Sequence, residues 1–107
     1  MDNREKALDE FVRRVKERYG DKIERIIVFG SYTRGDYGEK SDIDVLVVVK
    51  DNNLEIERDI SGISFDLLLK YSVDISPKVY SVKEFERGRR LATPFMREVE
   101  RYGEAIS

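Results

Sequence analysis

Asp42 and Asp44 stand one residue apart at the opening of an apolar run, DIDVLVVV, and ten residues before them a Gly30-Ser31 pair closes another run, ERIIVF. In a strand, residues i and i+2 project from the same face, so both carboxylates would emerge together. Two such acids repel each other unless a positive charge lies between them, and a divalent metal ion is the usual one. A glycine directly after a strand lets a ligand approach the backbone, because no Cβ intrudes. Ser31, placed to cap a short helical turn through Arg34, offers a hydroxyl beside free N–H groups, a setting for phosphate oxygens. Together these parts predict a clamp for a nucleoside triphosphate. Gly-Ser would hold the terminal phosphates and metal-bound aspartates would bridge them, the logic of two-metal phosphoryl transfer.

The composition leaves these carboxylates without rivals. The 107-residue chain has no histidine and no cysteine, which excludes Ser-His-Asp triads, histidine-ligated zinc, thiolate chemistry and disulfide frameworks. Acid–base or metal chemistry must rest on Asp, Glu, Lys or Tyr. Charged residues make up 39% of the chain, yet they sum to a net charge of −2. A general nucleic-acid binder or a domain held on membranes by a basic patch would be strongly basic. No apolar run approaches the roughly 18 residues of a membrane span, and the charged N-terminus lacks a signal-peptide core, so the expectation is a cytoplasmic protein. The length fits a single domain over residues 1–107 with one real core.

The elements that must position the acids are readable in order. Asp2 or Asn3 caps a first helix to about Tyr19, with Leu8, Phe11, Val12, Val15 and Tyr19 as its apolar stripe. Glu24 to Phe29 reads as a strand, residues 35–38 as a loop, and Asp42 to Val49 as a central strand covered on both faces. Ile56, Ile60, Ile63 and Leu67 predict a helix over Leu54–Tyr71 despite Gly62; the competing reading takes ISFDLLL as a strand and brings Asp66 toward the centre. Residues 73–81, VDISPKVYS, form a third strand that Pro77 places at a sheet edge or bulge. Ser81 to Glu84 is a capping box opening a helix to about Arg89, and Thr93-Pro94 starts a last helix through Tyr102. The order αβαβαβαα describes an α/β fold, a small mixed sheet with helices packed on it.

The stretch GSYTRGDYGEKSDIDVLVVV resembles the Gly-Ser-x10-Asp-x-Asp signature of the DNA polymerase β nucleotidyltransferase superfamily. The small size and the ending SDIDVLVVV are similar to minimal nucleotidyltransferases, the MNT domains, and DLLLKYSVDISPKVYSVKEFE and TPFMREVERYGEAI resemble their later helix, strand and tail. The resemblance implies the polymerase β palm-like fold. It implies that Gly30 and Ser31 grip the triphosphate of ATP, with Arg34 reaching a phosphate oxygen, and that Asp42 and Asp44 bind two Mg²⁺ ions. A third carboxylate on a later strand completes the family's site and helps deprotonate the attacking hydroxyl. Asp74 takes that role here, with Lys78 a competitor for the position and Asp66 the alternative if Leu54–Tyr71 is not helical. Tyr32 and Tyr37 border the nucleotide or simply pack, and the arginines at 87, 89 and 90 meet a partner or solvent.

MNT proteins of this kind are commonly encoded beside a HEPN-domain partner. The resemblance therefore implies an antitoxin that transfers AMP from ATP to a tyrosine of a HEPN ribonuclease toxin, within a homo-oligomer or hetero-oligomer. Two other functions stay open: nucleotidyl transfer to a small molecule such as an aminoglycoside, and a binding module that neutralises its partner by contact alone.

Overall fold

Helix α1, Asn3–Tyr19, begins where the Asp2 carboxylate accepts the Glu5 N–H, and it buries Ala7, Leu8, Phe11 and Val15 along one side. The computed structural model describes residues 2–34 and 42–107, so the expected loop at 35–38, with Tyr37, lies outside the described residues. A 3₁₀ turn, Gly20–Lys22, leads into strand β1, Ile23–Phe29. The one-turn helix α2, Ser31–Arg34, follows Gly30 and precedes β2, Ile43–Val49. Ser31 is thus the first residue of that turn rather than the residue before it. Helix α3 spans Leu54–Tyr71, capped by the Asn53 side chain on Ile56 N–H. Strand β3 is Ile75–Ser81, α4 is Val82–Leu91 with both halves of the Ser81–Glu84 capping box formed, and α5 is Pro94–Tyr102 behind the Thr93 cap.

A two-residue strand, β4 (Glu104–Ala105), was not expected. It completes a sheet of order β3-β2-β1-β4, in which β2 runs antiparallel to β1 and parallel to β3, and β4 runs antiparallel to β1. Both faces of β2 are covered, which is why its sequence shows no alternation after the acids. Val45, Val47 and Val49 pack with α1 and α3, alongside Ile26, Val28 and Ile75. Leu46 and Val48 pack on the other side with Ile27, Phe29, Phe85, Met96 and Val99, under α4 and α5.

Strand β3 is an edge strand, as Pro77 required. Its exposed side is closed by side chains: Ser64 Oγ donates to Ile75 O, and Asn52 Nδ2 donates to Val79 O at 3.2 Å. Between them Pro77 has no N–H to offer. An edge so occupied is a poor template for another strand.

Candidate active site

Phe29 pairs with Asp44 across β1 and β2, and Ile43 pairs with Ile75 across β2 and β3. This register draws the end of β1 and the starts of β2 and β3 to one end of the sheet. Asp42 and Asp74 each lie one residue ahead of their strands, not within them, and Ile43 N–H donates to Asp74 O at 2.9 Å. Their carboxyls meet in a side-chain hydrogen bond. Burial, then the charge of Asp42, then that hydrogen bond push the Asp74 carboxyl above its ordinary range. Asp74 as a whole is exposed, so its loss of water is partial, and the neighbouring acid adds to it.

Gly30 ties the other half of the motif to this end. Its φ of 79° lies where side-chain-bearing residues are strained. A Cβ built there would fall 2.2 Å from Asp44 Oδ2. The glycine therefore makes room for the Asp44 carboxylate as well as for the turn. Thr33 Oγ1 donates to Gly30 O at 3.0 Å and steadies α2 against it. The backbones of Ser31 and Arg34 belong to α2, while their side chains lie outside the described ones.

The other readings of the third carboxylate separate cleanly. Leu54–Tyr71 is helical, and Asp66 on it accepts from Arg14 at 3.0 Å, on the α1 side of the sheet and away from Asp42. Lys78 pairs with Leu46, beyond the acids, and its Nζ rests 5.6 Å from the Phe95 ring centre. Tyr32 packs against the α1–α3 core. Arg89 is held by Glu100 at 3.2 Å and by Glu86 at 3.6 Å. Ser76 went unnoticed in the sequence, yet it is the register partner of Asp44; only the strand pairing reveals it.

Among the described residues no three metal-ligating side chains converge on one point. The donors are all carboxylate oxygens, which suit a hard divalent cation such as Mg²⁺. Two neighbouring carboxylates repel each other, and a cation between them would remove that repulsion. Asp42 and Asp74 thus fit a metal ion, with Asp44 beside them on the adjoining strand position.

Known proteins resemble the chain in sequence and in fold. The Nucleotidyltransferase domain family profile matches residues 8–100. A Methanocaldococcus jannaschii protein provisionally named protein adenylyltransferase MJ0141 is 40% identical over 97 residues, covering 90% of this chain and 91% of that protein. The solved structure of a provisionally assigned minimal nucleotidyltransferase aligns over 100% of this chain and 96% of its own, with TM-score 0.55 and 29% identity. The fold is also that of a complex of tri-AMPylated Shewanella oneidensis HEPN toxin with MNT antitoxin, with TM-score 0.52 and 16% identity over 94% of this chain and 71% of that one. By its sequence and by the arrangement of its strands, the chain belongs to the nucleotidyltransferase domain family.

Proposed function

We propose that the protein is an Mg²⁺-dependent protein adenylyltransferase that moves AMP from ATP to a tyrosine hydroxyl of a HEPN-domain ribonuclease toxin and so silences it. The observation that carries the reading is the Asp42–Asp74 carboxyl pair beside Gly30 and Asp44. Two names add support: the relative called a protein adenylyltransferase, and the HEPN toxin found AMPylated with its MNT antitoxin. The reading takes residues 1–107 as one domain acting in the cytoplasm; no helix among the described residues is long and apolar enough to cross a membrane.

In this mechanism Gly30 leaves space for the triphosphate, and the α2 backbone, Ser31 and Arg34 hold its outer phosphates. Asp42, Asp44 and Asp74 would hold two Mg²⁺ ions. Bound metal supplies charge neutralisation at the triphosphate and favours attack at the α-phosphorus. The tyrosine oxygen attacks that phosphorus in line, the bond to pyrophosphate breaks, and Asp74 takes up the hydroxyl proton.

The test uses purified protein, α-labelled ATP, Mg²⁺ and the protein encoded by the adjacent gene. Label on a partner tyrosine, lost in Asp42→Asn and Asp74→Asn, is the expected result. Label on an aminoglycoside instead would move the acceptor to a small molecule. Neutralisation of the partner that survives both substitutions would make the protein a contact-only binding module and overturn the reading.

A further inference from the structure

Alternation along β3 puts Ser76, Lys78 and Tyr80 on the same face of the sheet as their register partners Asp44, Leu46 and Val48. Tyr80 packs there against the cluster under α4 and α5, while its neighbour Val79 belongs to the opposite core. Phe95, half-buried in the first turn of α5, lies across this face. Its ring centre is 5.3 Å from that of Phe29, the β1 partner of Asp44, and 5.4 Å from that of Tyr80 on β3. Lys78 Nζ rests 5.6 Å from the same Phe95 ring. An aromatic wall thus crosses the sheet just past the acids, with an ammonium group at its β3 end.

The fold does not use that ammonium in an ion pair. Lys78 is exposed, and among the described residues no carboxylate pairs with it. Glu57 of α3 borders the same open hollow at the β3 edge, but it accepts from Asn52 Nδ2 at 3.4 Å instead. Lys78 lies two residues past Ser76, the partner of Asp44, so about 6.6 Å of strand separates it from the level of the acids. A flexible four-carbon stem can span that gap.

What this group meets follows from the line of attack. With the outer phosphates at Gly30 and α2, which follow β1, pyrophosphate leaves toward β1. The attacking oxygen then comes from the opposite side of β2, over β3. We propose that Lys78 meets the acceptor oxygen there and selects an aromatic hydroxyl, an inference that rests on the adenylyltransferase reading above. As the new O–P bond forms, the phenol proton passes to Asp74 and the bond to pyrophosphate breaks. Lys78 keeps its own proton and faces the oxygen while negative charge develops on it. A phenol, ionising at about pH 10, develops such charge readily. A polycationic aminoglycoside meets a like charge at this point instead.

The test measures transfer from labelled ATP to the protein encoded by the adjacent gene and, in parallel, to kanamycin. Lys78→Met, which keeps most of the stem, should lower kcat/KM for the protein acceptor about 10- to 100-fold, the range for losing a charged hydrogen-bond partner. The KM for ATP and the Tm should stay at the wild-type values, and Lys78→Arg should recover most of the loss. Unchanged transfer in Lys78→Met would overturn the proposal and leave the adenylyltransferase reading intact. A raised KM for ATP would assign the ammonium to the phosphates, and a loss that tracks a lower Tm would make Lys78 a packing residue; either would overturn it. Wild-type label on kanamycin in place of a tyrosine, or no label at all, would overturn both.

Discussion

Glu10, between α1 and α3, accepts from Lys70 Nζ at 2.8 Å and from Tyr71 Oη at 2.7 Å, and these partners hold its carboxyl below the ordinary range. Asp74, at the end of the sheet, is pushed the other way, by burial first and then by the acid beside it, Asp42. Asp59 belongs with Glu10: bonded by Tyr19 and by Arg18, it too is held low. Where the chain needs two helices to stay together, each acid meets a donor or cation. At the proposed site an acid meets an acid, and a bound cation would bring the missing positive charge.

That contrast can be broken from either side. The largest effect should come from the sheet end. Asp74→Asn is expected to lower the rate of adenylyl transfer about 10²- to 10⁴-fold, measured with labelled ATP, the range for losing a positioned base. The same variant should melt no lower than wild type in metal-free buffer, because it removes the repulsion between two acids while its amide can still donate to Asp42. A fall in its Tm would place Asp74 with Glu10 as a structural acid. Gly30→Ala should come next, with reduced transfer and reduced stability together, since the new methyl is both strained at its φ and driven into Asp44. A cost of about 1–3 kcal/mol is expected in denaturant melts.

At the helix joint the signs reverse. Glu10→Gln should cost about 1–2 kcal/mol in stability and leave transfer untouched, since its side chain is only 12% exposed and both its bonds are charge-assisted. A group whose pKa is lower in the folded state stabilises above its unfolded pKa and loses that contribution as pH falls through the folded value. Thermal stability should therefore decline as pH drops below about 4.3, the unperturbed glutamate value. Glu10→Gln should flatten that decline, and a full-sized acid limb in the variant would count against it. The smallest effect belongs to the exposed Arg13–Glu17 pair, with side chains 58% and 64% exposed. Arg13→Ala should shift stability by no more than about 0.5 kcal/mol.

Much of this was readable before any coordinates, for reasons that differ by element. The first helix, α3, the Ser81 capping box and the Thr93-Pro94 start are local signals, set by spacing and by caps within a few residues. The Gly-Ser and Asp-x-Asp pairs were legible because residue type alone restricts their chemistry. Strand β4 was not legible: Glu104 and Ala105 are exposed and carry no pattern, and only pairing with Ile27 and Val28 makes them a strand. Nor could spacing show that Asp74 meets Asp42, that Ser76 lies opposite Asp44, or that Gly30 makes room for a carboxylate. Those facts depend on the register between strands, which is decided by the whole core.

The central claim is that Asp42, Asp44 and Asp74 act as one cation site beside the triphosphate. Binding of Mn²⁺, followed by electron paramagnetic resonance with a non-hydrolysable ATP analogue present, tests it most directly. The account predicts two bound ions per chain in the wild type and loss of at least one in Asp74→Asn. Unchanged Mn²⁺ binding in that variant would contradict it.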